Sequence, residues 1–360
     1  MSEETQKATA KTRLGSLALE MDKRLKLYWK KEMGANFGFE KNQKKLIRKL
    51  LSHAKEHNLR QAKRLRASLV YYGYLMGKTK PNEEIWKAME AVELVQTALL
   101  MHDDFMDEDK LRRGLPTTQE YFAEGDKHYG ESMAVDVGDV VLCLGFERMM
   151  ECNFDEEKVL RATKLLIRGI TETGFGQAFD ISLPKLGGLT ERKVLAVHRT
   201  KTAIYTFQNP LVVGGVLAGL AEKDLDILKE YAVFAGIAFQ LQDDVLGMFG
   251  DSKKTGKSAD SDLLQGKSTL LVARTLEKGD EKQKKILLAA WGNKKAKKAE
   301  IEAAKKVIIE SGAYEYSVAK ANKLVTKAIE MTEKMDKRGF NKEAVEYLRG
   351  IAEYMVAREI

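Results

Sequence analysis

The chain has 360 residues, 44% of them hydrophobic and 32% charged, with only four prolines. Its 61 lysines and arginines against 53 acids leave a formal charge of +8, a modest excess that suits an anionic substrate, a nucleic acid or an anionic membrane and singles out none of them. No apolar run reaches about 18 residues without charge, which argues against a transmembrane helix. The first residues lack a secretion signal's apolar core, and Cys143 and Cys152 are the only cysteines, so a reduced, cytoplasmic protein is expected.

Residues 1–12 are polar and without period, and a disordered tail is expected there, followed by one domain over 13–360. Amphipathic periodicity predicts helices over Leu14–Gly34, Asn42–His57 and Leu59–Gly77, the third carrying Lys63, Arg64 and Arg66. Pro81-Asn82-Glu83 starts the next helix, which runs through Ala91-Val-Glu-Leu-Val-Gln-Thr-Ala-Leu-Leu-Met101 into His-Asp103-Asp104-Phe-Met-Asp107 and then Arg112-Arg113. A short helix follows Pro116. Longer ones cover Ser132–Asn153, Asp155–Asp180 and Thr190–Gln208. Leu225–Phe249 is predicted as a long apolar helix capped by Asp224. A polar loop spans Gly250–Gly266, and four or five amphipathic helices separated at Gly279, Gly292, Gly312 and Gly339 complete the chain. Every segment reads helical, with no linker or repeat, so the expected fold is all-α, a single large helical bundle.

Asp103 and Asp107 stand four apart and share one helix face, with Asp104 beside them. Such carboxylates repel one another unless a cation neutralises them, and oxygen-only ligands suit Mg²⁺ with a substrate phosphate. An acidic patch on a surface helix fits the same residues. Phe239-Gln240-Leu-Gln242-Asp243-Asp244 repeats the arrangement 140 residues later at the end of another apolar helix. Two such helices facing across a bundle would line a cleft with acids. Arg112, Arg113, Lys201, Thr202, Lys257 and Lys267 flank these stretches, as phosphate groups held between Mg²⁺ and cations would require. His102 reads as structural. Lys253-Lys-Thr-Gly-Lys-Ser258 imitates the end of a P-loop, but its glycine spacing and the helix before it exclude an NTPase loop. The basic run Lys294–Lys298 lacks aromatic interleaving and reads as a solvated face, not a nucleic-acid site.

These motifs, in this order, resemble the all-trans polyprenyl diphosphate synthases, most closely those making geranylgeranyl diphosphate. Asp103-Asp-x-x-Asp107 with Arg112-Arg-Gly-x-Pro116 is similar to that family's first aspartate-rich motif, and Phe239-Gln-x-x-Asp243-Asp to its second. Gly176-Gln177-x-x-Asp180 and Lys201-Thr202 lie between them as the family has them. The resemblance implies a homodimeric isoprenoid-synthase bundle with a central cavity. It implies an enzyme that joins an allylic diphosphate (dimethylallyl, geranyl or farnesyl) to isopentenyl diphosphate. Asp103, Asp107 and Asp243 would be ligands of about three Mg²⁺ ions, with Asp104 supporting. The allylic diphosphate would rest on Arg112, Lys201, Thr202, Gln240, Lys257 and Lys267, and isopentenyl diphosphate on Lys63, Arg64, Arg66, Gln96 and Arg113. Gln61-Ala62 replaces the family's usual two glycines, and Gly247 stands where many members have a third aspartate.

In this family bulky aromatics just before the first motif stop the growing tail. Here those positions are Leu99 and Ala98, with Val95 one turn further, and none is aromatic. A trans-polyprenyl product of C20 or longer is therefore expected, unless Met133, Val137 or Phe146 of the next long helix closes the floor. A class I terpene cyclase and a non-catalytic subunit of a heteromeric synthase are the alternatives. The paired Arg112-Arg113 and Asp243-Asp244 disfavour a cyclase, and retention of both acid motifs disfavours a silent subunit.

Overall fold

The computed structural model describes residues 3–35, 38–78, 80–250 and 260–357. It opens on α1 (Glu3–Glu32), α2 (Lys41–Leu59) and α3 (Leu65–Leu75). Residues 3–12 form the first turns of α1 and not the disordered tail expected. Ala10 and Leu14 are buried, and that apolar contact orders the polar residues around them.

The chain continues through α4 (Glu83–Met106), a hairpin of β1 (Leu111–Arg112) and β2 (Leu115–Pro116), α5 (Thr118–Ala123), α6 (Lys127–Met150), α7 (Glu156–Leu186) and α8 (Glu191–Val197). A π-helical segment, His198–Gln208, leads into α9 (Asn209–Leu217) and α10 (Glu222–Phe249). The remainder is α11 (Ser261–Leu264), α12 (Leu270–Lys278), α13 (Glu281–Ala290), α14 (Lys298–Glu310), α15 (Ala313–Arg338) and α16 (Lys342–Val356).

Helix starts follow their caps. Asn82 Oδ1 accepts from the Glu84 and Ile85 amides at the head of α4, and Asp155 does the same for α7. α10 begins three residues earlier than predicted, at Glu222. Asp224 does not cap it: its carboxylate accepts from Arg338 Nε of α15 at 2.6 Å, a tertiary partner displacing a local one.

The main core gathers α1, α3, α4, α9, α10, α15 and α16 around Leu25, Val70, Met89, Val92, Leu211, Tyr231, Met331 and Tyr347. A second cluster joins the end of α10 to α11–α14 through Val245, Met248, Leu263, Leu271 and Ile308. α4 packs on α6, while α10 packs on α15 and the π-helical segment. The two apolar helices that end in aspartates are thereby held inside the bundle.

α3 and α9 approach closely because Gly214 has no side chain. A Cβ there would meet Val70 O and stand 2.6 Å from Tyr74 N. Gly214→Ala is expected to force the helices apart and cost about 1–3 kcal/mol, read as a lower urea midpoint at unchanged m-value.

His53 of α2 is buried, 3.1 Å from Thr118 Oγ1 and stacked on Tyr121. Burial, reinforced by His57 and Arg60, lowers its pKa from 6.5 to about 3. The imidazole therefore stays neutral in the fold while the unfolded chain takes up a proton, so its contribution to stability is complete above pH 6.5 and is lost as pH falls toward 3. Thermal unfolding of the parent and His53→Gln from pH 8 to 4 checks this. The variant's midpoint should fall less steeply with acid, by up to about 1.36 kcal/mol per pH unit.

Candidate active site

The aspartates stand where the packing of α4 and α10 directs them. Asp107 caps α4, its amide donating to Asp103 O at 2.8 Å, so the two carboxylates lie one turn apart on one face. They line a cavity of about 860 Å³ together with Asp180, Lys201, Thr202, Gln240, Asp243, Asp244 and Lys267. Among the described residues six aspartates and four lysines line it, an excess of negative charge that a bound cation would offset.

Two lysines bridge the acids. Lys201 Nζ lies 2.8 Å from Asp180 and 3.3 Å from Asp103, and Lys267 Nζ pairs with Asp107 and lies 3.9 Å from Asp180. Burial opposes the charge on Lys201, but Asp103, Asp180 and Asp107 outweigh it and raise its pKa. Burial likewise works to raise Asp103, yet Lys201, Arg112 and Lys267 bring it below the ordinary carboxylate value. Asp107 shifts upward, through burial and the charge of Asp103.

Lys201 and Thr202 stand on the π-helical segment, where a continuous helix from Thr190 was expected. The wider turn is a common device at functional sites. Gly176 of α7 lets it lie close: a Cβ there would be 2.6 Å from Lys201 N. Asp180, one turn further along α7, thereby reaches the Lys201 side chain. On α10, Gln240 accepts from Thr202 Oγ1 at 2.7 Å and donates to Asp244 at 2.8 Å, while His198 Nε2 lies 3.1 Å from the other Asp244 oxygen.

Arg112 and Arg113 sit on the hairpin, which the apolar pattern did not foretell. Arg113 (φ 55°) and Gly114 (φ 77°) make its tight turn. Arg112 folds back on α4: Nε donates to Asp104 Oδ1 at 2.7 Å, Nη2 reaches the same oxygen, and Nη2 lies 3.6 Å from Asp103. Burial opposes its charge, but Asp104, Asp103 and Asp109 raise its pKa. Asp104 is fully buried, with His57 Nε2 3.8 Å away, and does not line the cavity. It holds Arg112 in place.

The cations assigned to the isopentenyl site are divided. Lys63 and Arg64 do not lie on the helix predicted for them, because the chain breaks between α2 and α3. There Arg64 takes φ 51° and turns inward to Asp22 (2.8 Å), Glu93 (2.9 Å) and Asn58 O (2.7 Å). That buried network occupies its guanidinium, and it does not line the cavity. Arg66 lies in α3, donating to Thr206 Oγ1 at 2.6 Å over the Tyr205 ring, and burial lowers its pKa. Arg113 donates to Arg60 O at 3.0 Å, and burial next to Arg64 lowers its pKa to about 10. Gln96 Oε1 is buried without a hydrogen-bond partner among the described residues. Lys63 lines the cavity. Lys257 lies outside the described residues.

Below the acids, Val95 and Ala98 are fully buried, Ala98 in a cluster with Val137 and Val141 of α6. Leu99 is half-buried and packs, with Phe146, on the main core. None of the three lines the aspartate cavity.

Among the lining residues that no sequence motif marks are His198, Asp262, Lys11 and Tyr354. Asp262 lies on α11, a short helix inside the stretch predicted as a polar loop, and its carboxylate fills the space that a Cβ at Gly247 would take. An acid from another element therefore occupies the ground of the absent third aspartate. The motif Asp180 was seen in order, but its pairing with Lys201 was not legible.

An all-α bundle with paired aspartates at the ends of two facing helices is the architecture of the isoprenoid-synthase enzymes. The polyprenyl synthetase family model matches residues 48–308. The geranylgeranyl diphosphate synthase of Saccharolobus solfataricus is 35% identical over 278 residues, covering 77% of this chain and 80% of that one. A short chain isoprenyl diphosphate synthase of Methanocaldococcus jannaschii is 36% identical, covering 72% and 76%. The crystal structure of geranylgeranyl pyrophosphate synthase from Corynebacterium glutamicum, complexed with isoprenyl diphosphate and magnesium, superposes with TM-score 0.83 at 26% identity over the whole of both chains. This chain belongs to the polyprenyl synthetase family.

Proposed function

We propose that this protein condenses an allylic diphosphate with isopentenyl diphosphate to make a trans-polyprenyl diphosphate of C20 or longer. The observation that carries the reading is the cavity in which Asp103, Asp107 and Asp243 stand with Lys201 and Lys267. Among the described residues no three acids or imidazoles converge into a closed metal cage. That fits Mg²⁺, which takes one or two carboxylates, keeps waters and completes its shell with substrate phosphate. Asp103 and Asp107 on one side and Asp243 on the other would hold about three ions. When bound they supply charge that draws electrons onto the departing diphosphate.

The chain's own groups do the rest. Lys201, Lys267 and Thr202 donate to the diphosphate oxygens, and Arg112, fixed by Asp104, adds positive charge behind Asp103. The C–O bond of the allylic substrate breaks, and the double bond of isopentenyl diphosphate attacks the resulting cation. A proton then leaves to the released diphosphate. The packed apolar residues that precede the aspartates on α4 and α10 would keep water from reaching the cation from beneath.

Val95, Ala98 and Leu99 are the proposed ruler: none is aromatic, and a long tail would reach them by displacing the side chains that pack on them here, Val137 and Val141 among them. The exposed Val135 and Met150 of α6 and Leu160, Ile167 and Phe179 of α7 suit a homodimer interface, and a cytoplasmic setting is consistent with two unpaired cysteines. The test is incubation of the purified single chain with Mg²⁺, isopentenyl diphosphate and dimethylallyl, geranyl or farnesyl diphosphate, with chain length read by chromatography. A product of C20 or longer is expected. A product stopping at C15 overturns the open floor, and no product overturns the enzyme reading.

A further inference from the structure

The solvent side of α2 carries cations that nothing in the fold offsets. Lys41, Lys44, Lys45 and Arg48 are all exposed, and their spacing puts them on one face of the helix. Among the described residues none of them has a carboxylate within ion-pairing distance, whereas Lys49, off that face, pairs with Glu124. The placement is unfavourable in the free protein. Like charges one turn apart repel, the positive end of the helix dipole adds to them, and the first turn of α2 carries no acid. An anionic partner offsets that cost.

The inner face of α2 fixes where this charge sits. Ile47, Leu50, Leu51 and Ala54 pack with Ala98 of α4 and Val137 of α6. The helix therefore separates the cluster around Ala98, where the growing tail is proposed to run, from solvent. Two large apolar side chains accompany the cations in sequence and are themselves exposed, Phe39 by 40% and Leu46 by 45%. Cations interspersed with exposed apolar residues match the boundary between lipid headgroups and acyl chains. The cations span only about 10 Å of helix, a short track for a nucleic acid.

We infer that the basic face of α2 docks the protein on an anionic membrane surface, with Phe39 and Leu46 entering the headgroup layer. Docking brings the Ala98 cluster next to a phase that dissolves a long apolar tail, which eases release of product. That consequence rests on the proposed condensation; the docking does not.

Sedimentation of the full chain with vesicles of equal parts phosphatidylglycerol and phosphatidylcholine reads the docking without substrate. The parent should bind them, bind pure phosphatidylcholine vesicles far more weakly, and lose its hold at about 0.5 M salt. The variant Lys41→Gln/Lys44→Gln/Lys45→Gln/Arg48→Gln should bind about fivefold more weakly per cation removed, with a urea midpoint no lower than the parent's. The variant Lys294→Gln/Lys295→Gln/Lys297→Gln/Lys298→Gln, which removes the same charge elsewhere, should stay within about threefold of the parent. No binding by the parent, equal binding to neutral vesicles, equal losses in the two variants, or capture of single-stranded RNA in place of the vesicles overturns the inference.

Discussion

Asp103→Asn should lower kcat about 10²–10³-fold while leaving the fold intact. The substitution keeps the shape and removes one charge from a place where Lys201 lies at 3.3 Å and Arg112 at 3.6 Å. Those cations, with Lys267, hold Asp103 below the usual carboxylate range against the effect of burial, so the group is ionised at neutral pH and free to bind metal. Its loss does not strand either neighbour, since Lys201 keeps Asp180 at 2.8 Å and Arg112 keeps Asp104. Steady-state turnover over a range of Mg²⁺ concentrations checks this, with the half-saturating Mg²⁺ concentration expected to rise. A variant that turns over within about threefold of the parent would remove Asp103 from the site's chemistry, because a charge stabilising the reaction is worth far more.

Asp104→Ala should show the reverse order of effects. Asp104 is fully buried and Arg112 nearly so, and Asp104 accepts two of the guanidinium's hydrogen bonds. Removing one partner of a buried pair leaves an uncompensated charge, at a cost of about 3–5 kcal/mol. Urea unfolding should therefore find Asp104→Ala far less stable than Asp103→Asn, although the residues are neighbours. Its activity should also fall, through displacement of Arg112. Equal unfolding midpoints for the parent and Asp104→Ala would mean that Arg112 finds another partner, and the positioning role would be lost.

Both results bear on how much could be read without coordinates. Three aspartates in five residues look alike in sequence, and spacing alone put all of them on one acidic helix end. The fold separates them: Asp103 and Asp107 face the cavity, and Asp104 faces His57 and the hairpin. The arginines changed in the same way. Arg64 and Arg66 read as neighbours on one helix, but the break before α3 sends Arg64 to Asp22 and Glu93 and leaves Arg66 beside Thr206. The π-helical segment was invisible, since its apolar pattern over eleven residues also fits an ordinary helix.

Local pattern was enough to read the all-α class, the helix breaks at Gly279, Gly292, Gly312 and Gly339, and the two acid motifs. Each depends on residues a few positions apart, where periodicity, caps and turn preferences act directly. Which of the 61 basic side chains meet those acids depends on helix packing. Lys267 reaches Asp107 across 160 positions and Lys201 reaches Asp103 across about a hundred. Pairings of that range come from how helices pack, through close approaches such as Gly176 on the π-helical segment and Gly350 on α1. No local pattern around a lysine records them.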